Sequence, residues 1–209
     1  SMYWLTGYDT FGYVFFQTLI LDKNGNTILL TRAPDLRQAQ NTSNIEDIRI
    51  WVDKDGINPT NDLKKILEEL NLKNKNIGIE YEAYGITGRN ALRLNKSLKN
   101  YCNIEDQSEL ITKLRVIKSP EEIVYVKKAA ELADLALDQA WKHTKAGASE
   151  AKILAEMQKV DLEGGGDYPA NEYNMGSGHN ALLCRYQSEK RYLSKTDQLS
   201  IEWAGTYKH

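Results

Sequence analysis

Cysteine is scarce in this chain of 209 residues: there are two, Cys102 and Cys184, far apart in the sequence. That excludes a disulfide framework, and the pair reads as reduced thiols, small buried hydrophobes of a cytosolic protein. Histidine occurs three times, and no Cys/His spacing fits a zinc site. No apolar run approaches the ~20 residues that a membrane span needs. The first residues lack the basic stretch of a signal peptide. Neither sign of charge dominates: net charge is −2, with acids and bases interspersed, which argues against a nucleic-acid partner or an acidic surface. Internal repeats and low-complexity tracts are also missing. Gly176-Ser177-Gly178 lacks the Lys-Ser/Thr of a phosphate loop and does not open a helix as GxGxxG does. It is too tight for a Gly-x-Ser-x-Gly nucleophile turn.

What remains is an ordinary globular composition, 41% hydrophobic and 27% charged, in a chain long for one domain and short for two complete ones. Residues 13–21 are bulky and β-prone and read as a strand from Tyr13 onward. Asn24-Gly25 is a strong hairpin signal, and residues 27–30 form the return strand. Residues 48–52 alternate as a strand. Leu63, Ile66, Leu67 and Leu70 predict a helix over 61–70, after Pro59-Thr60. A strand at 76–81, a helix at 87–97 and a short strand at 101–104 follow. Strand, helix, strand, helix, strand implies right-handed crossovers and a partly parallel sheet, which the opening hairpin makes mixed.

The sharpest local signal is the junction Leu114-Arg115-Val116-Ile117-Lys118-Ser119-Pro120-Glu121-Glu122-Ile123. Ser119 can cap a helix, Pro120 suits its first position and Glu122 completes a capping box. The helix that follows runs to about Thr144, with Ile123, Val126, Ala130, Ala133 and Leu137 as its apolar stripe. Ser149 caps a second helix through Ile153, Leu154 and Met157, which Gly164-Gly165-Gly166 ends. Residues 198–203 look like one more strand.

Few residues could carry chemistry. His143 sits at a helix end, where a cation suits the dipole, and reads as structural; His209 is terminal. His179 lies in the glycine-rich turn 176–180, as a binding residue or a surface turn histidine. Glu202 is an acid in an apolar strand. It faces outward, or it faces inward and needs a cation, a metal or a proton.

Together these segments resemble the creatinase/prolidase/Xaa-Pro aminopeptidase superfamily, the pita-bread enzymes. The junction motif resembles the link between that family's N-terminal and catalytic domains. Tyr3-x-Leu5-Thr6-Gly7-Tyr8 resembles its early N-domain strand and turn. Gly176-Ser177-Gly178-x-Asn180, followed by Leu199-x-Ile201-Glu202, resembles the start of its catalytic sheet. The resemblance implies an α/β fold. Residues 1–113 would be a mixed-sheet N-terminal domain lacking its first strand and helix. Residues 114–209 would be the linker and the first part of an α+β pita-bread catalytic domain. The chain is then expected to be an internal fragment, inert alone. In the longer parent, two divalent cations (Mn, Co or Zn) are expected, with none expected in the fragment. Glu202 stands at the first ligand position, where the family carries Asp.

A second departure lies about five residues past Asn180. Peptidases of the family carry a substrate-binding His there, and this chain carries Arg185. Arginine can clamp a carboxylate bidentately. Both changes point to the ectoine-hydrolase-like or creatinase-like branch, acting on a small substrate or a short peptide. The implied function is hydrolysis of C–N bonds, with Arg185, His179 and Tyr8 as substrate-binding residues and the catalytic residues unassigned. The resemblance also implies a homodimer, in which one N-terminal domain reaches the partner's site; the reduced cysteines place it in the cytoplasm. Tyr8, Tyr13 and Phe15 lie near the strand that does so, or are core aromatics of the hairpin. The competing reading is a non-catalytic pita-bread relative that serves as a binding or interaction module.

Overall fold

The Asn24-Gly25 turn forms as its residues dictate. Gly25 takes φ 88°, and Asp22 Oδ1 accepts the N–H groups of Asn24 and Asn26 at 2.8 and 2.9 Å. The turn joins β1 (Thr18–Leu21) to β2 (Thr27–Arg32) in an antiparallel pair, Thr18 opposite Leu30 and Leu21 opposite Thr27. The structure is a computed structural model that describes residues 1–11 and 14–209. The strand expected from Tyr13 therefore begins, among the described residues, at Thr18; Tyr13 itself lies outside them. A crossover through α2 (Leu36–Thr42) brings β3 (Asp47–Trp51) parallel to β2, Ile28 opposite Asp47 and Arg32 opposite Trp51.

A second sheet pairs β4 (Asn76–Ile79) in parallel with β5 (Asn103–Asp106). The mixed sheet expected as one is thus two, in the orders β1-β2-β3 and β4-β5. Both sheets feed one apolar cluster, in which Leu30 and Trp51 pack with helices α3 (Pro59–Glu69) and α4 (Gly88–Leu98) through Leu63, Ile66, Leu67, Leu94 and Leu98. Ile77 and Ile104 of the second sheet join that cluster. Leu29, one residue along β2, points the other way into a cluster with Tyr8, Ala39 and Ile45. β2 is therefore buried on both faces, as the middle strand of a sheet covered on two sides must be.

Helix ends follow local chemistry. Asn58 caps α3, with Pro59 in the first turn, and Thr87 Oγ1 caps α4 by accepting from Asn90 N at 3.2 Å. The strand expected at 101–104 starts at Asn103. Asn100 turns the chain at φ 62°, and buried Tyr101 donates its hydroxyl to Leu67 O at 2.9 Å. The expected early strand and turn at residues 3–8 is instead a short helix, α1 (Met2–Thr6). Gly7 ends it at φ 75°, its N–H donating to Tyr3 O at 2.7 Å, a left-handed helix cap that glycine fills without steric cost.

The chain divides into two compact units, Ser1–Ile117 and Lys118–His209. Residues 114–117 fall in the first, where helix α5 (Glu109–Val116) closes it. The second opens on the capping box. Ser119 Oγ accepts from Glu122 N at 3.2 Å, and Glu122 Oε2 accepts from Ser119 N at 2.7 Å. Helix α6 (Pro120–His143) packs against α7 (Glu150–Glu163). Its buried face is Leu132, Ala136 and Ala140, not the stripe Ile123, Val126, Ala130, Ala133 and Leu137 expected from the sequence. Small side chains let neighbouring backbone come close, and packing selects that face over the more hydrophobic one. Ser149 occupies the cap position of α7, but its hydroxyl makes no capping bond. β6 (Asn174–Ser177) and β7 (Leu199–Glu202) pair antiparallel, Asn174 opposite Glu202 and Ser177 opposite Leu199.

Candidate functional site

β6 runs straight into a tight 3-10 turn, Gly178–Leu182. Both glycines of the Gly-Ser-Gly run are sterically required. A side chain on Gly176 would collide with the backbone carbonyl of Asn180. Gly178 sits at φ 57°, and a Cβ there would meet the Arg191 guanidinium and lie 2.9 Å from Asp197 Oδ1. The glycines serve the close folding of the chain on itself.

A charged clamp holds this turn. Glu150, in the first turn of α7, is fully buried. Its Oε1 accepts from Ser177 N at 2.7 Å and its Oε2 from Arg191 N at 2.8 Å. Arg191 Nη1 donates back to Ser177 O and, at 3.1 Å, to Ser177 Oγ, and pairs with Asp197 at 3.5 Å. The Ser194 backbone N–H, donating to Asp197 at 2.8 Å, holds that carboxyl below the usual carboxylate range, and Arg191 helps.

The clamped turn presents His179, which is exposed. Arg185 follows on the exposed segment. Its Nη1 donates to Cys184 O at 2.7 Å, and no carboxylate pairs with it among the described residues. Glu202 is exposed on β7, opposite Asn174. The antiparallel register therefore puts Glu202 at one end of the strand pair and the His179 turn at the other, about 10 Å apart along the strand. Tyr8, expected to contact substrate, is instead 1% exposed in the core of the first unit, with its hydroxyl 3.4 Å from Thr31 Oγ1, so it has no surface to offer a substrate. Among the described residues, no group of three or more His, Cys, Asp and Glu lies close enough to hold a metal ion. The described residues do not by themselves fit a two-cation centre.

Glu150, Arg191 and Asp161 were not legible as site residues. The signal for Asp161 is its spacing: Ile153, Met157 and Asp161 fall four apart on the buried face of α7. Asp161 is 2% exposed, with Oδ2 accepting from Tyr173 at 3.1 Å and Oδ1 without a hydrogen-bond partner. Burial pushes its carboxyl up, against the pull of the Tyr173 hydroxyl. The folded state then holds a proton that the unfolded chain has released, so Asp161 lowers stability as pH rises through that window. Above it the cost is fully present. Asp161→Asn should therefore gain on the wild type as pH rises from about 3 to about 7, read as the difference in urea midpoints. Taking the difference cancels Asp106 and Asp197, whose lowered values act in the opposite sense. A pH-independent difference would refute the assignment.

A small mixed α/β unit, then a capped helical hairpin against a strand pair with a clamped glycine turn, defines the class: a creatinase-like N-terminal module leading into the opening of a pita-bread catalytic domain. Residues 1–117 match the Creatinase/Prolidase N-terminal domain, and residues 125–209 match Metallopeptidase family M24. The chain belongs to the creatinase/prolidase family. It is 25% identical to the ectoine hydrolase of Halomonas elongata over 231 aligned positions, covering 100% of this chain and 56% of that protein. It is 27% identical to the Xaa-Pro dipeptidase of Pyrococcus furiosus over 131 positions, covering 61% of this chain and 38% of that one. The prolidase of Thermococcus sibiricus shares the fold at a TM-score of 0.81 and 21% identity, over 99% of this chain and 55% of that one. The chain spans about half the length of such relatives.

Proposed function

We propose that the protein containing this chain hydrolyses a C–N bond in a small, carboxylate-bearing substrate, and that Arg185 grips the carboxylate. The observation that carries this reading is the exposed guanidinium of Arg185, with no carboxylate partner among the described residues, just past the clamped turn. A planar guanidinium offers two parallel N–H donors to a carboxylate, which a lysine ammonium cannot do. The family match to a metallopeptidase and the likeness to an ectoine hydrolase and an Xaa-Pro dipeptidase supply the reaction class. His179 is a second contact proposed for the substrate. The same reading makes the whole protein a metal-dependent, cytoplasmic homodimer, with Glu202 as this chain's contribution to the metal. Cys102 is half-buried and Cys184 exposed, not the buried pair expected from the sequence, and both are free thiols. No helix among the described residues is long and apolar enough to cross a membrane.

Steady-state kinetics on the whole protein test the reading, with Xaa-Pro dipeptides and ectoine as substrates. Arg185→Ala and Arg185→Lys should each lose about 1–3 kcal/mol of binding, about 5- to 150-fold in kcat/KM. Unchanged kcat/KM in both variants would remove Arg185 from the site.

A further inference from the structure

We infer that Glu150 is a positioning residue: its carboxylate, and not only its bulk, fixes the backbone that presents His179 and Arg185. The inference deepens the substrate-site reading given above and rests on it.

Glu150 lies in the first turn of α7 but is not spent on that helix. Its two oxygens reach Ser177 N and Arg191 N, in segments 27 and 41 residues further on. Its own N–H donates to Arg191 O at 3.0 Å. Arg191 is thus bonded through both its N–H and its C=O to one residue, and its guanidinium returns to Ser177 O and Oγ. Glu150, Ser177 and Arg191 close a circuit, and the turn begins at the residue after Ser177, Gly178, where an added Cβ would strike the same guanidinium.

The chemistry asks for a carboxylate. Two N–H donors converge, so both side-chain oxygens must accept, and only an ionised acid accepts on both. Glutamine keeps the shape but turns one acceptor into an N–H that faces an N–H. A fully buried charge is costly without such partners. If packing were the only demand, an apolar residue like Ile153 or Met157 on the same face would meet it at lower cost. The helix N-terminus adds a favourable field for the negative charge.

The test compares Glu150→Gln with Leu154→Ala in the whole protein. Leu154 is buried on α7 in the same core but makes no bond to the turn. Amide exchange is read over residues 174–194 and over the two helices, and kcat/KM is measured on the substrates named above. Glu150→Gln should speed exchange at Ser177 to Leu183 by about tenfold or more and lower kcat/KM by a similar factor, the scale of one charge-assisted hydrogen bond. Leu154→Ala should loosen the helices and leave kcat/KM within about twofold. If Glu150→Gln does not fold, Glu150→Asp keeps the charge with a shorter reach and should show the same pattern. Three results would overturn the inference: exchange raised evenly across the second unit, exchange unchanged in the turn, or a loosened turn with kcat/KM intact. If the wild type turns over none of the substrates, the substrate-site reading fails. Glu150 is then judged by whether exchange rises in the turn and not in the helices.

Discussion

Leu30→Ala should lower the unfolding free energy of the first unit by about 2–5 kcal/mol. Leu30 is 1% exposed, and its neighbours Trp51, Leu63 and Leu98 are held by two helices and a parallel strand. Such a site cannot collapse around a missing side chain, so the loss combines the transfer term with a persistent cavity. Leu29→Ala should cost a similar amount for a separate reason. It opens the other cluster, between Tyr8 and Ile45. Urea unfolding read by the exchange protection of the β2 amides shows both as a lower midpoint with an unchanged slope. Leu92→Ala is the control: Leu92 is 73% exposed on α4 and should change stability by no more than about 0.5 kcal/mol. A Leu30→Ala loss of under about 1 kcal/mol would mean that β2 is not the middle of a doubly covered sheet.

Gly205→Ala should cost the second unit about 1–3 kcal/mol. Gly205 follows β7 and lies against α6, where a Cβ would collide with Ala129 O and sit 2.6 Å from Ala133 N. Ala129 and Ala133 are one helical turn apart, and the obstacle is backbone, which cannot rotate away. Beside it, Trp203 Nε1 donates to Ala133 O at 3.0 Å, so the strand end is tied to the place where the helix leaves least room. Exchange protection of the α6 and α7 amides during urea unfolding gives the midpoint. A variant within about 0.5 kcal/mol of the wild type would show that the contact relaxes freely.

How much of this was legible depended on how local each signal was. The Ser119 capping box and the Asn24-Gly25 turn involve residues within a few positions of one another, and both form as read. α3 and α4 were legible because their leucines repeat at helical spacing. α2 was not, since it buries only Ala39 and is otherwise polar. α1 was not, since four bulky residues between polar neighbours read as well as a strand. The split into two sheets was invisible because pairing between β3 and β4 is a tertiary outcome. On α6, hydrophobicity pointed to Ile123 and Val126, which are 38% and 50% exposed, while close packing used the alanines. At the candidate site the sequence marked what protrudes, His179 and Arg185. It hid what holds them, because Glu150 and Arg191 look like any solvated charges until segments 27 and 41 residues away close on them.

That separation has a consequence in time. As the chain leaves the ribosome, α6 and α7 can pair while Glu150 still stands in water, its charge solvated and harmless. Its two partners lie in segments made later, and non-local contacts form after local ones such as the pairing of neighbouring helices. Desolvation of the acid is therefore expected to wait for Arg191, making the glycine turn among the last parts of the second unit to set. Pulse-labelled exchange during refolding should find the α6 and α7 amides protected before Ser177.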